Sequence, residues 1–227
     1  TFVVIAAVII IFVSVRKKMD EANERYTEAL YKYTNSIFSG SYSYDHILGE
    51  LQGAYNTFTK SNLSKIMILN IADVYYRNND YSNALINYDK FLKLNSDPTF
   101  QAVANYGKAL VYIQQKNYGE AVNQLKNLAA DKNAEFIKPE ILVQTAITYS
   151  RLKDETNAIN ALNEIINNAD LKQTSWGVYA NYLLVLLKQQ KNLPEINYAF
   201  SADADTAAAN QALTDTSHIT DIFKTSE

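Results

Sequence analysis

Three stretches of the sequence place an Ala three residues before a Tyr: Ala72 with Tyr75, Ala109 with Tyr112, and Ala146 with Tyr149, each pair 37 residues after the last. Twelve residues beyond each of these Ala residues stands another, at Ala84, Ala121 and Ala158. Large side chains follow it at four residues (Tyr88, Leu125, Leu162) and at seven (Phe91, Leu128, Ile165). Intervals of three, four and seven return to one face of an α-helix, so each copy predicts two amphipathic helices. Polar stretches mark the breaks. Asn78 to Asp80, Gln115 to Asn117 and Lys153-Asp154 predict turns inside the copies, while Asn95 to Pro98 and Asp131 to Pro139 predict links between them. The Ala columns let paired helices approach closely, and the large columns fill the space beyond.

Weaker versions of the pattern flank these copies. Met19 to Phe38 carries Ala22, Tyr26, Ala29, Leu30, Tyr33 and Ile37, and Glu50 to Ser61 carries Leu51, Ala54, Tyr55 and Phe58. Together they predict a degenerate first hairpin around a Ser39 to Leu48 loop; a parallel dimeric coiled coil is the competing reading of the first stripe. Ser175 to Gln190 predicts a strongly apolar helix that ends before Asn192-Leu193-Pro194 and covers the last copy, as the end of a stack of helix pairs requires. Beyond about Phe200 the sequence is rich in Ala, Thr, Asp and Ser, which predicts a flexible tail with one short helix near Ala207 to Leu213.

Thr1 to Val15 contains no charge and stops at Arg16-Lys17-Lys18. This reads as a membrane segment. Fifteen helical residues span about 22 Å, short of the roughly 30 Å hydrocarbon core, so the sequence is expected to begin inside a longer transmembrane helix. A secretory signal fits less well, because no small-x-small cleavage site follows the apolar run. Taken alone, the basic flank places the body of the protein on the cytoplasmic side. Nothing between Val15 and Asn23 breaks a helix, so the membrane helix is expected to continue into the stripe as a stalk.

Composition narrows the function. Six Gly and three Pro in 227 residues leave too few turn residues for a many-stranded sandwich or barrel. The absence of Cys excludes disulfides, iron–sulfur ligation, thiolate zinc sites and thiol catalysis. A formal charge of −3 with both signs interspersed lacks the basic clustering that phosphate binding needs, so no nucleic-acid partner is expected. His46 and His218 lie far apart without ligand-spaced companions, and the Gly residues form neither a nucleophile elbow nor a phosphate loop. The pairs Asp20-Glu21 and Asp154-Glu155 read as solvated surface, and Trp176 as a packing residue. No catalytic residues, metal or cofactor are expected, and the protein is not read as an enzyme.

The repeat resembles the tetratricopeptide repeat over at least Ser64 to Asn168. Tyr81-Ser82-Asn83-Ala84-Leu85-Ile86-Asn87-Tyr88 and Tyr118-Gly119-Glu120-Ala121-Val122-Asn123-Gln124-Leu125 match that family's second-helix opening, with Glu155 replacing the Tyr in the third copy. The period is 37 rather than the usual 34, which assigns about three extra residues per copy to loops, most simply after each second helix. Asn79, Lys116 and Lys153 stand where the family has a turn Gly. The resemblance implies an all-α, right-handed α-solenoid of antiparallel helix pairs, here with an N-terminal transmembrane helix. It further implies a concave groove lined by first helices. In the Ala and Tyr register its inward positions are Asp73, Tyr76, Arg77, Tyr106, Leu110, Ile113, Gln114, Ile147, Ser150 and Arg151. That lining suits an extended or helical protein segment with apolar and acidic side chains. The competing reading is that several of these residues pack beneath a neighbouring copy or the C-terminal helix. A clamp for a chaperone's C-terminal carboxylate is not expected, since Leu69, Asp73, Tyr106 and Leu110 occupy the positions concerned.

The expected organisation is a membrane helix with basic flank at 1–18, a stalk and degenerate hairpin at 19–62, three repeats at 63–170, a capping helix at 171–200 and a tail at 201–227. This layout resembles the bacterial ancillary SecYEG translocon subunit family. The resemblance implies a single-pass inner-membrane protein with repeats in the periplasm, bound to the lipid bilayer through residues 1–15, that assists proteins at the translocon. The alternative expectation is a structural subunit of a larger envelope machine for secretion or motility.

Overall fold

The computed structural model describes the backbone of residues 2–39, 43–57, 62–94 and 97–194, and side chains within 13–35, 43–57, 64–94 and 97–194. Among the described residues there are nine α-helices and one 3-10 helix, and no strand. The protein forms two compact units, Thr1–Ser96 and Asp97–Glu227.

The first unit holds α1 (Phe2–Ser39), α2 (Tyr44–Thr57), α3 (Asn62–Arg77) and α4 (Tyr81–Leu94), with α1 packed on α2, α2 on α3 and α3 on α4. The stripe of α1 is buried at Ala22, Tyr26, Ala29 and Tyr33. Its partners lie in the same polypeptide, so the stripe is an intramolecular packing face and not the seam of a coiled coil. The first hairpin is less degenerate than its sequence suggests. α2 starts at Tyr44, six residues before the expected Glu50, and its Ile47, Leu51 and Ala54 are fully buried. These three sit 37 residues before Ala84, Tyr88 and Phe91, so Ile47 fills the place that Ala holds in the later copies.

The second unit holds α5 (Pro98–Gln114), α6 (Tyr118–Ala129), the 3-10 helix Lys132–Ile137, α7 (Lys138–Arg151), α8 (Glu155–Ile166) and α9 (Ser175–Lys188). Its main core joins Leu142, Ala146 and Ile147 of α7, Ala158, Leu162 and Ile165 of α8, and Ala180, Leu183 and Leu187 of α9, closed by Leu193. Two hydroxyls in α7 are buried at low cost because they bond within their own helix. Thr145 donates to the Ile141 carbonyl at 2.7 Å and Thr148 to that of Gln144 at 2.6 Å.

The turn inside each hairpin is the same device. Asn79, Lys116 and Lys153 take positive φ of 61°, 60° and 60°. Around each, the next amide donates to the carbonyl five residues back (Asp80 to Tyr75, Asn117 to Tyr112, Asp154 to Tyr149) at 2.8 to 3.0 Å, and the turn residue donates three back. This is the Schellman closure, which normally prefers Gly at its left-handed position. Gln190, a further 37 residues on, repeats it at φ 56°, with Lys191 donating to Leu186 and Gln190 to Leu187. α9 is therefore more than a lid: it ends as the first helix of a further copy ends.

Second helices begin 37 residues apart at Tyr44, Tyr81, Tyr118 and Glu155. Asp80 and Asp154 cap two of them alike, each accepting from the backbone N–H of the residue three on at 3.1 Å and from its side-chain amide at 2.7 Å. Length varies after the second helices instead, in the 3-10 helix before α7 and in residues 167–174 before α9. There α9 presses on the preceding loop: a Cβ at Gly177 would lie 2.3 Å from the Lys172 carbonyl oxygen, so only Gly fits.

Among the described residues no helix is long and apolar enough to cross a membrane. The expected membrane segment falls mainly on residues 1–12, whose side chains lie outside the described residues, as do 195–200 of the capping region and the whole 201–227 tail. α1 itself runs unbroken from Phe2 to Ser39.

Candidate functional site

In the first unit the expected surface residues belong to a polar seam between α1 and α3. Asn70 Nδ2 donates to the Tyr26 hydroxyl at 3.0 Å, and one helical heptad along, Arg77 Nε donates to the Tyr33 hydroxyl at 2.9 Å. The matched steps of seven residues fix how the two first helices lie against each other. Arg77 Nε also pairs with Asp73 Oδ2 at 3.0 Å, and its guanidinium sits 5.8 Å from the Tyr33 ring centroid. Burial raises the Asp73 carboxyl above its ordinary value, and the Arg77 charge offsets this only in part. The side chain of Asp73 nevertheless keeps a third of its exposure and that of Arg77 about a sixth (33% and 17%), so both offer polar atoms at the surface.

Tyr76 is buried, its ring centroid 6.1 Å from that of Tyr81. Tyr88 is buried below, where burial first, and then the nearby Asp73 and Tyr76, hold its hydroxyl well above the ordinary range. This face supplies a partly exposed acid–base pair framed by Tyr rings, an arrangement suited to recognition.

In the second unit the expected residues divide. Tyr106 and Leu110 on α5 are buried, and the Tyr106 hydroxyl donates to Glu140 Oε1 at the start of α7 at 2.9 Å. Ile113 and Gln114, a turn further along α5, are partly exposed. Ile147 lies in the core with α9, and Arg151 Nη2 donates to the Leu193 carbonyl at 2.9 Å. Ser150 keeps part of its surface. Of the expected lining, Tyr76, Tyr106, Leu110 and Ile147 are thus buried: Tyr76 meets Tyr81 of its own hairpin, Tyr106 bonds to Glu140 of α7, and Ile147 packs with α9, as the competing reading has it.

Tyr26, Tyr33, Asn70 and Glu140 belong to these faces and are absent from the lining that the sequence predicts. The seven-residue step from Tyr26 to Tyr33, parallel to that from Asn70 to Arg77, is the signal that carries the four positions of the seam. Among the described residues no group of three or more His, Cys, Asp or Glu could hold a metal ion. His46 sits at the surface with its Nε2 2.9 Å from Lys32 Nζ, which also pairs with Glu28 at 2.6 Å.

Comparison with curated proteins finds no match. Residues 67–98 match the family model described as tetratricopeptide repeat, which takes in most of α3, all of α4 and the Asp97 cap. Residues 67–98 are therefore similar to a tetratricopeptide repeat, and they lie in a series of helix pairs built to the same plan.

Proposed function

We propose that this protein is a membrane-tethered scaffold that binds other proteins through the first-helix faces of its repeats. The observation that carries the reading is the tetratricopeptide match at 67–98, since helix pairs of this family generally serve protein–protein recognition. Asp73 and Arg77 in the first unit and Ile113 and Gln114 in the second supply partly exposed polar and apolar groups on those faces. Taken unit by unit, the face of the first suits a segment with an acidic group for Arg77, and the face of the second suits one with an apolar group for Ile113. The tether is the uncharged run to Val15, which shares one continuous helix with the stripe that packs within the first unit. From the layout we further propose an inner-membrane location with periplasmic repeats, close to proteins leaving the translocon. Recognition, not catalysis, is the role.

Site-specific photo-cross-linking in native membranes tests this. A photoreactive residue at Asp73 or Ile113 should yield discrete protein adducts in the membrane fraction, and one at Ile86, an exposed residue of the second helix α4, should not. Adducts only from Ile86 would overturn the first-helix faces. Recovery of the protein away from membranes would overturn the tether. A single stoichiometric adduct that never exchanges would identify a fixed subunit of an envelope machine instead.

A further inference from the structure

On α3, Ile71 and Tyr75 lie two residues out of phase with Asp73 and Arg77, which at 100° per residue puts them on the opposite side of the helix. That side borders a cleft of about 230 Å³ shared by α2, α3 and α4. Its walls are rich in carboxamides: Gln52 and Asn56 come from α2 and Asn87 from α4. Only one lining residue is charged, Lys90, whose Nζ stands 4.3 Å from the Tyr55 ring centroid. Among the described residues Lys90 has no carboxylate partner within ion-pair distance, so the ring positions the ammonium without neutralising it. Tyr75 is fixed from two sides. Its hydroxyl accepts from Gln52 Nε2 at 3.2 Å, and the Tyr44 ring meets its own edge-on at 6.2 Å.

Size and chemistry select the ligand. Small-molecule and cofactor sites occupy roughly 300 to 1,000 Å³, so this cleft holds a short piece of a larger ligand. A carboxamide offers a donor and an acceptor together, the complement of a peptide group, and three of them line the same cleft as one cation. A phosphate would call for several converging cations or a fork of guanidinium donors; a single ammonium matches a single carboxylate.

We propose that the cleft between α2, α3 and α4 is a second recognition site, on the other side of α3 from the Asp73–Arg77 face, that takes a peptide carboxylate on Lys90 while Gln52, Asn56 and Asn87 pair with the flanking peptide groups. The carboxylate is the side chain of a Glu or Asp residue within a longer peptide. This site is independent of the first-helix faces, so its failure would leave the function proposed above untouched.

Fluorescence anisotropy with the full-length protein in detergent micelles tests the proposal. Three labelled probes are used: Gly-Ala-Ala-Glu-Ala-Ala amide, Gly-Ala-Ala-Ala-Ala-Ala with a free carboxylate, and Gly-Ala-Ala-Gln-Ala-Ala amide. The Glu probe should bind saturably and at least tenfold more tightly than the neutral probe, and preferential binding of the free-carboxylate probe would overturn the assignment to an acidic side chain. K90Q should bring the Glu probe to the neutral level, and N56D should do the same by placing a like charge in the cleft. K93Q, which removes an exposed charge further along α4, should leave binding unchanged. Equal binding of the neutral probe, no saturable binding up to millimolar protein, or equal weakening by K90Q and K93Q would overturn the proposal. Should K90Q fail to fold, N56D decides.

Discussion

Lys116 closes the α5–α6 hairpin at φ 60°, a conformation in which a Cβ costs roughly 1 kcal/mol relative to Gly. Lys116→Gly removes the clash while leaving the turn's hydrogen bonds in place, so it should raise stability by about 0.5 to 1 kcal/mol, read as a higher Tm. Gly177 is the reverse case. Any Cβ there meets the Lys172 carbonyl, and Gly177→Ala should destabilise the second unit by about 1 to 3 kcal/mol, with the loss read by thermal melting. Tyr179 carries a pH signature: burial, and then its stacked neighbour Tyr182, push its hydroxyl up to about 12. A free Tyr ionises near pH 10, so unfolding releases this proton earlier than the folded state does. Stability from this group is therefore complete below about pH 10 and declines as pH rises toward 12. Tyrosine absorbance should show a fraction titrating late, and Tyr179→Phe should flatten that alkaline loss of Tm.

At the scale of the element, Ala109 has no exposure and sits where α5 meets α6, so Ala109→Leu should overpack the pair and cost about 1 to 3 kcal/mol. Asp154→Ala should cost about 1 kcal/mol through the lost cap of α8, whereas Asn117→Ala should cost less, because the Asn117 amide group makes no capping bond to α6. Equal losses in urea titrations of the two variants would contradict the cap assignment. The helices are legible in the sequence wherever small and large columns recur together, as at Ala84, Tyr88 and Phe91. The pattern places α2 too late because Ile47 replaces the Ala that marks a second helix, although it is as fully buried as that Ala. The turns are legible as positions. Their left-handed geometry is legible at Asn79, a residue that tolerates it, and hidden at Lys116 and Lys153, since Lys does not announce it as Gly does.

For the whole molecule, hairpin identity can be read from sequence because buried columns repeat at a fixed interval. Surface cannot, because what covers a residue is another element far along the polypeptide. Arg151 follows the same helical register as Gln114, yet its guanidinium is tied to the Leu193 carbonyl beyond α9, and no local pattern near α7 records that. The polar seam of α1 with α3 escapes the pattern for a related reason: its Tyr–Asn and Tyr–Arg bonds join positions 44 residues apart and break the 37-residue spacing of the apolar columns.

The central claim is that the helix pairs are interchangeable units of 37 residues. It predicts that a deletion of one full unit, even with the join inside a helix, leaves a packed protein. Removing 125–161 joins Gln124 to Leu162, so that Leu162 and Ile165 take the places of Leu125 and Leu128, and α9 follows the composite helix as α7 did. Removing only 125–159 deletes two residues fewer but turns the same apolar face about 160° away from α5. Thermal unfolding followed by circular dichroism should show a cooperative transition for the 37-residue deletion and its loss for the 35-residue deletion; identical behaviour of the two, whether both folded or both unfolded, would contradict the account.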